Sequence, residues 1–469
     1  MKRGLTISIV GWFILCLLTA CAGGGNGKDK LEKLDPEEQV TLKVMAPDEN
    51  YFFQTYGSLF ISQFPNVDVE VANMQPLFSQ GSTQESLQQF VEDNEPDVLL
   101  LNADQYEQMA QTGKLFALDS VIVQDKYDLQ GIQPSILNLL RTKGNGNLYG
   151  LSPTFQSEAL FYNIDLFQKY GVEPPRDAMT WEEILALAER FPAEGDKDNR
   201  VYGISFSFYT PPVQLALSIA RTEGLRFVDA DATQVTLTGD GWKRAFQSAA
   251  DAIRSEAILI PDPSAQAGAV FLQDYYNQDP FLSGKAAMMI DNTYEVQDIL
   301  GSKRYTANKQ PFNWGITTAP VSASARNESV YVTVNDIFAV NAQSPHIRAA
   351  WEFIKYITGD DYARVNAKSS PSGELLARTA YIRDSDGVSL EPFYKLAPAD
   401  PASTGLENTP DSFQMQLVEL LSDEMDKLIA GDESVDEALR SLQDKAQAAL
   451  DQATLEKQAE ESAPPKSNE

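Results

Sequence analysis

Histidine is almost missing from this sequence. His346 is the only one in 469 residues, and it follows Ser344-Pro345 just ahead of a helical run, the place of a surface residue near a helix start. A Ser-His or Cys-His hydrolase would have to rest its chemistry on that one side chain. Cysteine is nearly as scarce. Cys16 and Cys21 both fall in the first 21 residues, so the body of the chain holds neither a disulfide nor a cysteine metal site. Positive charge is short as well: 37 Lys and Arg stand against 67 Asp and Glu, a formal charge of −30. That balance argues against nucleic acid and anionic membrane surfaces as partners. It favours solubility and leaves open the attraction of a cationic ligand. After the first twenty residues no apolar run approaches membrane-spanning length, and there is no internal repeat.

The N-terminus carries the one run that does stand out. Met1-Lys2-Arg3 is a basic start, and Leu5 to Leu18 is an apolar stretch of signal-peptide length. Leu18-Thr19-Ala20-Cys21 then matches the lipobox of a bacterial lipoprotein signal. Residues 1–20 are expected to be a cleaved signal peptide, with Cys21 acylated through its nucleophilic sulfur. Gly23-Gly24-Gly25-Asn26-Gly27 begins a flexible, polar tether over 21–38. The expected location is extracytoplasmic, anchored to the cell membrane by that cysteine.

Forty-three per cent apolar residues in a chain of this length predict two or three domains rather than one core. Val40–Ala46 alternates as a strand, 52–64 reads as a helix, and 67–71 as a second strand. A helix over 83–92 leads to the continuous apolar run 97–101, as expected for a strand buried on both faces. A helix over 105–111 closes at Gly113. The alternation is the βαβ signature of a parallel sheet. Further on come helices at 181–191, 213–223, 241–255 (with Asp240 as its cap) and 348–357. Strands are read at 201–208, 286–290, 314–316 and 329–340, the last interrupted by Asn335-Asp336. Asp291-Asn292 is read as opening a helix. Residues 409–451 are helical by period, and 452–469 are expected to be disordered.

The stretch Leu148–Trp181 organises the rest. A strand carries the polar trio Gln156-Ser157-Glu158 between apolar neighbours, which suits a crossing between two lobes. Asn163 caps a helix that ends at Gly171, and Thr180 caps the next at Trp181.

Six markers appear in order: Val44-Met45-Ala46-Pro47-Asp48-Glu49; Glu95-Pro96-Asp97-Val98 running on to Gly113-Lys114-Leu115; and Tyr149-Gly150-Leu151-Ser152-Pro153 with Tyr162-Asn163 and Thr180-Trp181-Glu182-Glu183. After these come Phe281-Leu282-Ser283-Gly284-Lys285-Ala286-Ala287-Met288, then Trp314-Gly315-Ile316, then Ala349-Ala350-Trp351-Glu352-Phe353-Ile354. In this the chain resembles, over roughly 40–450, the extracellular solute-binding proteins of ABC importers (family 1), in their carbohydrate-binding, maltose-binding-protein-like branch. The resemblance implies an α/β, two-lobed periplasmic-binding-protein-like fold of type II with the ligand between the lobes. One lobe would hold 38–156 and 317–375. The other would hold 158–315 and 376–451.

Ligand contacts implied by the resemblance are Asp48 and Glu49 after the first strand, Asn102 and Asp104 after the third, and Gln156, or else Ser157, at the crossing. In the second lobe they are Phe208 and Tyr209, with Asp291 and Tyr294 after the Ala-Met strand. Asn335 and Asp336 are added because polar groups interrupting an apolar strand need partners. Leu101 and Gln105 replace the aromatic and basic residues of the maltose type, which puts maltose-like specificity in doubt. Flat aromatic faces and planar acids or amides suit sugar C–H surfaces and hydroxyls. Trp181, Trp242 and Trp351 read as packing residues; Trp314, close to a crossing, stays open. The implied partners are a small solute, most simply a sugar or oligosaccharide, the permease subunits, and the membrane through the lipid anchor. A monomer with no catalytic residue, metal or cofactor is expected. An extracellular carbohydrate-active enzyme using two carboxylates, or a surface sensor on the same fold, is the alternative.

Overall fold

The computed structural model describes residues 30–79, 84–192, 200–206, 211–260, 271–305, 312–368, 373–399 and 404–462. Cys21 and the Phe208-Tyr209 pair lie outside them.

Among the described residues fourteen strands follow in chain order: β1 Val40–Ala46, β2 Val67–Asn73, β3 Val98–Leu101, β4 Gly150–Leu151, β5 Thr154–Asn163, β6 Tyr202–Ser205 and β7 Ile258–Leu259. Then come β8 Ala286–Asn292, β9 Trp314–Thr318, β10 Glu328–Ser329, β11 Val332–Thr333, β12 Ile337–Val340, β13 Leu375–Leu376 and β14 Ala397–Pro398. The first sheet has the order β2-β1-β3-β12-β4. Its β2, β1 and β3 are parallel, and β12 returns antiparallel to β3. All four residues of β3 are buried, as its unbroken apolar run requires of a central strand. The second sheet runs β11-β5-β8-β6-β7, with β9 and β13 also pairing β5.

Strand β5 belongs to both lobes because it changes partners along its length. At its start Phe155 faces Leu375 of β13, and Gln156 and Ser157 face Thr333 and Val332 of β11. From Glu158 onward it pairs with β8, and from Ala159 with β9. The protein is therefore a two-lobed α/β fold in which one long strand leaves the first lobe and enters the second. Apolar packing follows it across. Phe161 stacks on Trp314 at 6.0 Å and meets Phe281 at 6.3 Å and Phe393 at 5.9 Å edge-on, so Trp314 is a packing residue.

Local signals behaved as their chemistry demands. The Asn163 side chain accepts the Leu166 N–H (3.1 Å), and Gly171 closes that helix at φ +65°, a conformation that costs glycine little. Thr180 and Glu183 form a reciprocal capping box. Asp240 is the first residue of its helix rather than the cap; Gly239 stands at the cap with no side-chain bond. Asp291 and Asn292 do not open a helix. They extend β8, where the backbone of β5 offers hydrogen bonds opposite Ala159 and Glu158, and the helix begins at Tyr294.

Both ends of the described chain are more ordered than composition suggests. In the expected tether, Leu31 exchanges two hydrogen bonds with the Gln124 side chain (3.0 and 2.6 Å), and Leu31 and Leu34 pack on the first core. At the other end the helix Val435–Ser462 runs through most of the tail expected to be disordered. Leu450 and Ala453 are buried against the second core, and Gln452 reaches Glu456 one turn on (2.9 Å). The return from the second lobe also comes later than residue 317: Val321 bonds to the Met179 carbonyl and Tyr331 is buried in the second core. Residues 375–393 in turn contribute Leu375, Ala377, Leu390 and Phe393 to the first core.

Gly203 in β6 marks where the helix Trp181–Ala188 lies directly on the second sheet. A Cβ there would stand 2.2 Å from the Ala188 carbonyl oxygen, a clash with backbone that no rotamer relieves. Gly203→Ala is expected to cost about 1–3 kcal/mol and to lower Tm in calorimetry. An unchanged Tm would show that helix and strand part freely.

Candidate functional site

The C-terminal ends of β1 and β3 and the start of the antiparallel β12 share one edge of the first sheet, the edge beyond which ligands sit in open α/β sheets. Asp48, Glu49, Asn102, Asp104, Asn335 and Asp336 all fall there. Several of them are engaged locally. Asp48 accepts the Tyr51 N–H (2.8 Å) as a helix cap. Asn102 and Gln105 form a capping box. Asp104 is 91% exposed and lies 3.4 Å from Lys143 Nζ. Glu49 is exposed.

Where β5 changes partners, a cavity of about 360 Å3 opens between the lobes, walled by Gln156, Glu158, Arg221, Asn292, Tyr294 and Tyr331. Thr333 and Glu374 complete its rim. The period of two along a strand explains its floor: Gln156 and Glu158 share one face of β5, while Ser157 turns to the other and donates to the Phe393 carbonyl (2.5 Å). Asn335 donates to Gln156 Oε1 (3.4 Å). Asp336 accepts from the Tyr56 hydroxyl (3.4 Å), and Glu374 from the Thr154 hydroxyl (2.7 Å). Tyr294 is 54% exposed and its ring lies against Gly373, where a Cβ would come within 2.0 Å of it. A second cavity of about 620 Å3 adjoins through Glu374, between Gln54 and Tyr56 on the first lobe and Thr293 and Gln297 on the second.

Of the residues expected at a ligand site, Gln156 and Tyr294 line the smaller cavity. Asn335 touches Gln156, and Asp291 stands beside Asn292 in the wall. Asp48, Glu49, Asn102 and Asp104 line neither cavity. Glu158, Arg221, Tyr331 and Glu374 were not singled out. Glu158 carried a signal, being two residues from Gln156 on the same strand face. Arg221 carried none: on the helix Val213–Thr222 it looks like any surface arginine.

A third space of about 640 Å3, lined by Lys43, Asp97, Lys114 and His346, opens on the opposite edge of the first sheet. Its buried acid is already satisfied: Asp97 accepts from the Lys43 N–H (2.8 Å) and the Ser344 hydroxyl (2.6 Å), with His346 Nδ1 at 3.3 Å. It touches one lobe only.

Burial dominates the electrostatics of the inter-lobe cavity. It pushes the Glu158 carboxyl up to about 7, with Arg221 opposing and Asp291 adding to the shift. Asp291 is raised to about 6 by burial and by Asp298, and Asp336 to about 6 by burial and by Glu374. The folded state thus holds protons on these groups that the unfolded chain releases. Their contribution to stability is full below the ordinary carboxylate range and is lost as pH rises through about 6 to 7. Glu158→Gln is therefore expected to flatten the fall in Tm between pH 5 and 7.5, followed by differential scanning fluorimetry. A Tm profile parallel to the parent's would contradict this placement of Glu158.

Two α/β lobes, a strand shared between them and a polar, tyrosine-walled cavity at the crossing define a two-lobed solute-binding protein. Residues 38–364 match the profile of the bacterial extracellular solute-binding proteins, and the chain belongs to that family. Solved structures share the fold. The sugar-binding protein MalE of Xanthomonas citri is 17% identical, with a TM-score of 0.60 over 90% of this chain and 100% of that one. An ABC substrate-binding protein of Listeria monocytogenes in complex with cycloalternan is 20% identical, with a TM-score of 0.55 over 87% and 98%. The GacH receptor of Streptomyces glaucescens, solved unliganded and with acarbose, is 22% identical, with a TM-score of 0.54 over 88% and 99%. Proteins named as binding proteins in Brucella abortus and Brucella suis are 23% identical over 231 residues, 49% of this chain. The chain spans about half the length of these curated relatives. The family and these neighbours are binding proteins, and the family is extracellular. Among the described residues no helix is long and apolar enough to cross a membrane.

Proposed function

We propose that this protein captures a sugar or oligosaccharide outside the cell and delivers it to an ABC importer, acting as a monomer held to the membrane by a lipid on Cys21. The carrying observation is the cavity at the partner change of β5, to which both lobes contribute aromatic, amide and carboxyl groups. Tyr294 offers a ring face to sugar C–H surfaces. Gln156, Asn292, Thr333 and Glu374 offer hydroxyl partners, and Asp291, Asn335 and Asp336 support them. Asp48, Glu49, Asn102 and Asp104, on the facing edge of the first lobe, would meet the solute as the lobes close. Phe208 and Tyr209 remain in the proposed contact set. Closure about the strands that cross would bury the solute and present the permease with a surface that the open form lacks. The reading requires no catalytic step, metal or cofactor.

A solute that binds only the folded state raises Tm with its concentration. A thermal-shift screen of mono- and oligosaccharides is expected to give saturable shifts of about 3 kcal/mol equivalent at a hundredfold excess over Kd. Release of reducing sugar by the purified protein would overturn the binding reading in favour of an enzyme.

A further inference from the structure

The inter-lobe cavity is unbalanced in charge. Glu158 and Glu374 line it; Asp291 precedes the lining Asn292 on β8 and Asp336 precedes β12, both just outside the lining. Each of these four carboxyls comes from a different stretch of chain: β5, β8, the turn before β12, and the turn before β13. Among the described residues none has a lysine or arginine nitrogen within ion-pair distance. Their hydrogen bonds come instead from neutral donors: the Asn292 N–H to Asp291 (2.7 Å), the Tyr56 hydroxyl to Asp336 (3.4 Å) and the Thr154 hydroxyl to Glu374 (2.7 Å). Glu158 receives none from the described residues. Two other carboxyls, Asp125 and Glu424, are ion-paired instead. Asp125 meets Arg348 and Lys355 (2.8 and 3.2 Å), and Glu424 meets Lys427 and Lys445 (3.0 and 2.5 Å).

Among the described residues the one cation on the lining is Arg221. Its Nη2 donates to the Val330 carbonyl (2.7 Å) and its guanidinium lies 5.4 Å from the Tyr331 ring centre, so it is held to the wall. Behind the wall Glu295 is 4% exposed, and its Oε1 has no hydrogen-bond partner. Burial, and after it Asp279, Asp291 and Asp298, raise its pKa well above the usual range. Closing the lobes on a neutral sugar would take these carboxyls out of water with one guanidinium among them, and uncompensated burial of charge is costly. An ammonium group in the solute removes that cost, and the exposed ring of Tyr294 suits a cation as well as a sugar C–H face. The overall charge of −30 concentrates cations at the surface in the same sense.

We propose that the solute carries a cationic amino group seated between Glu158 and Glu374, making it an amino sugar rather than a neutral one. This rests on the inter-lobe cavity being the binding site.

Three β-1,4-linked disaccharides test it, because they differ only at C2: the glucosamine dimer, its N,N′-diacetyl form, and cellobiose. Glucosamine and glucose serve as a shorter pair. By titration calorimetry on the purified full chain at pH 7, the amine forms are expected to bind at least tenfold more tightly than their neutral counterparts. Glu158→Gln is expected to remove most of that ratio, and Glu374→Gln part of it, with Tm measured for each variant to confirm folding. Equal or tighter binding of a neutral form, or a ratio unchanged in both folded variants, overturns the proposal. A neutral sugar whose binding is lost in Tyr294→Ala leaves the sugar-binding reading standing and removes only the amine. If no sugar of either kind binds, both fall together.

Discussion

Tyr294→Ala is expected to weaken solute binding by about thirtyfold or more while leaving the apo protein folded. Removing an aromatic anchor at the centre of a recognition site costs ~2 kcal/mol or more, which is about thirtyfold in Kd. The folded state loses little, because Tyr294 is 54% exposed and makes no core contact. Its ring does not swing freely. Gly373, at φ +80°, brings its backbone against the ring edge, so the platform is positioned before ligand arrives. Gly373→Ala should therefore also weaken binding, by pushing the ring aside. Calorimetric titration of the best ligand from the sugar screen checks both variants. Full affinity in Tyr294→Ala, with an unchanged Tm, would remove this residue and the cavity from the site.

Phe161→Ala should have the largest effect on stability. The ring is fully buried in the half of β5 that lies beyond the partner change, among Trp314, Phe281 and Phe393. Truncating a core phenylalanine costs about 3–5 kcal/mol, on the order of 3–5 °C in Tm for a chain of this size. The consequence is structural and functional together. Phe393 lies in the segment whose backbone carbonyl anchors Ser157, so the cavity left at Phe161 loosens the crossing itself. Calorimetry decides; a loss below about 2 °C would mean that the surrounding rings collapse to fill the space.

Much of the frame was legible from local chemistry. The buried run of β3, the cap at Asn163, the left-handed glycine at 171 and the box at Thr180 each involve a few neighbouring residues, and each formed as expected. Misreadings arose where a distant partner intervened. Asp291-Asn292 has the composition of a helix start, but β5 lay alongside to extend the strand. Leu31 and Leu34 sit in a polar tether by composition, yet Gln124 and the first core were within reach. The tail past residue 452 is highly charged, yet Leu450 and Ala453 dock on the second core and carry the helix with them.

The candidate site divides in the same way. Gln156 stood out as a polar residue in an apolar strand, and Tyr294 through family resemblance. Arg221 and Glu374 could not, since each is an ordinary charged residue until the chain brings it to the crossing.

By itself the sequence determined the family, the two α/β lobes and the stretch where one passes into the other. Those follow from periodicity, capping and ordered motifs, all of which act within a few residues. Only the tertiary structure decided where the chain returns between lobes, which carboxyls share the cavity, and that among the described residues none of these meets a lysine or arginine. The reason is physical: burial and charge compensation depend on which distant segments are brought together, and the spacing of residues along the chain does not carry that information.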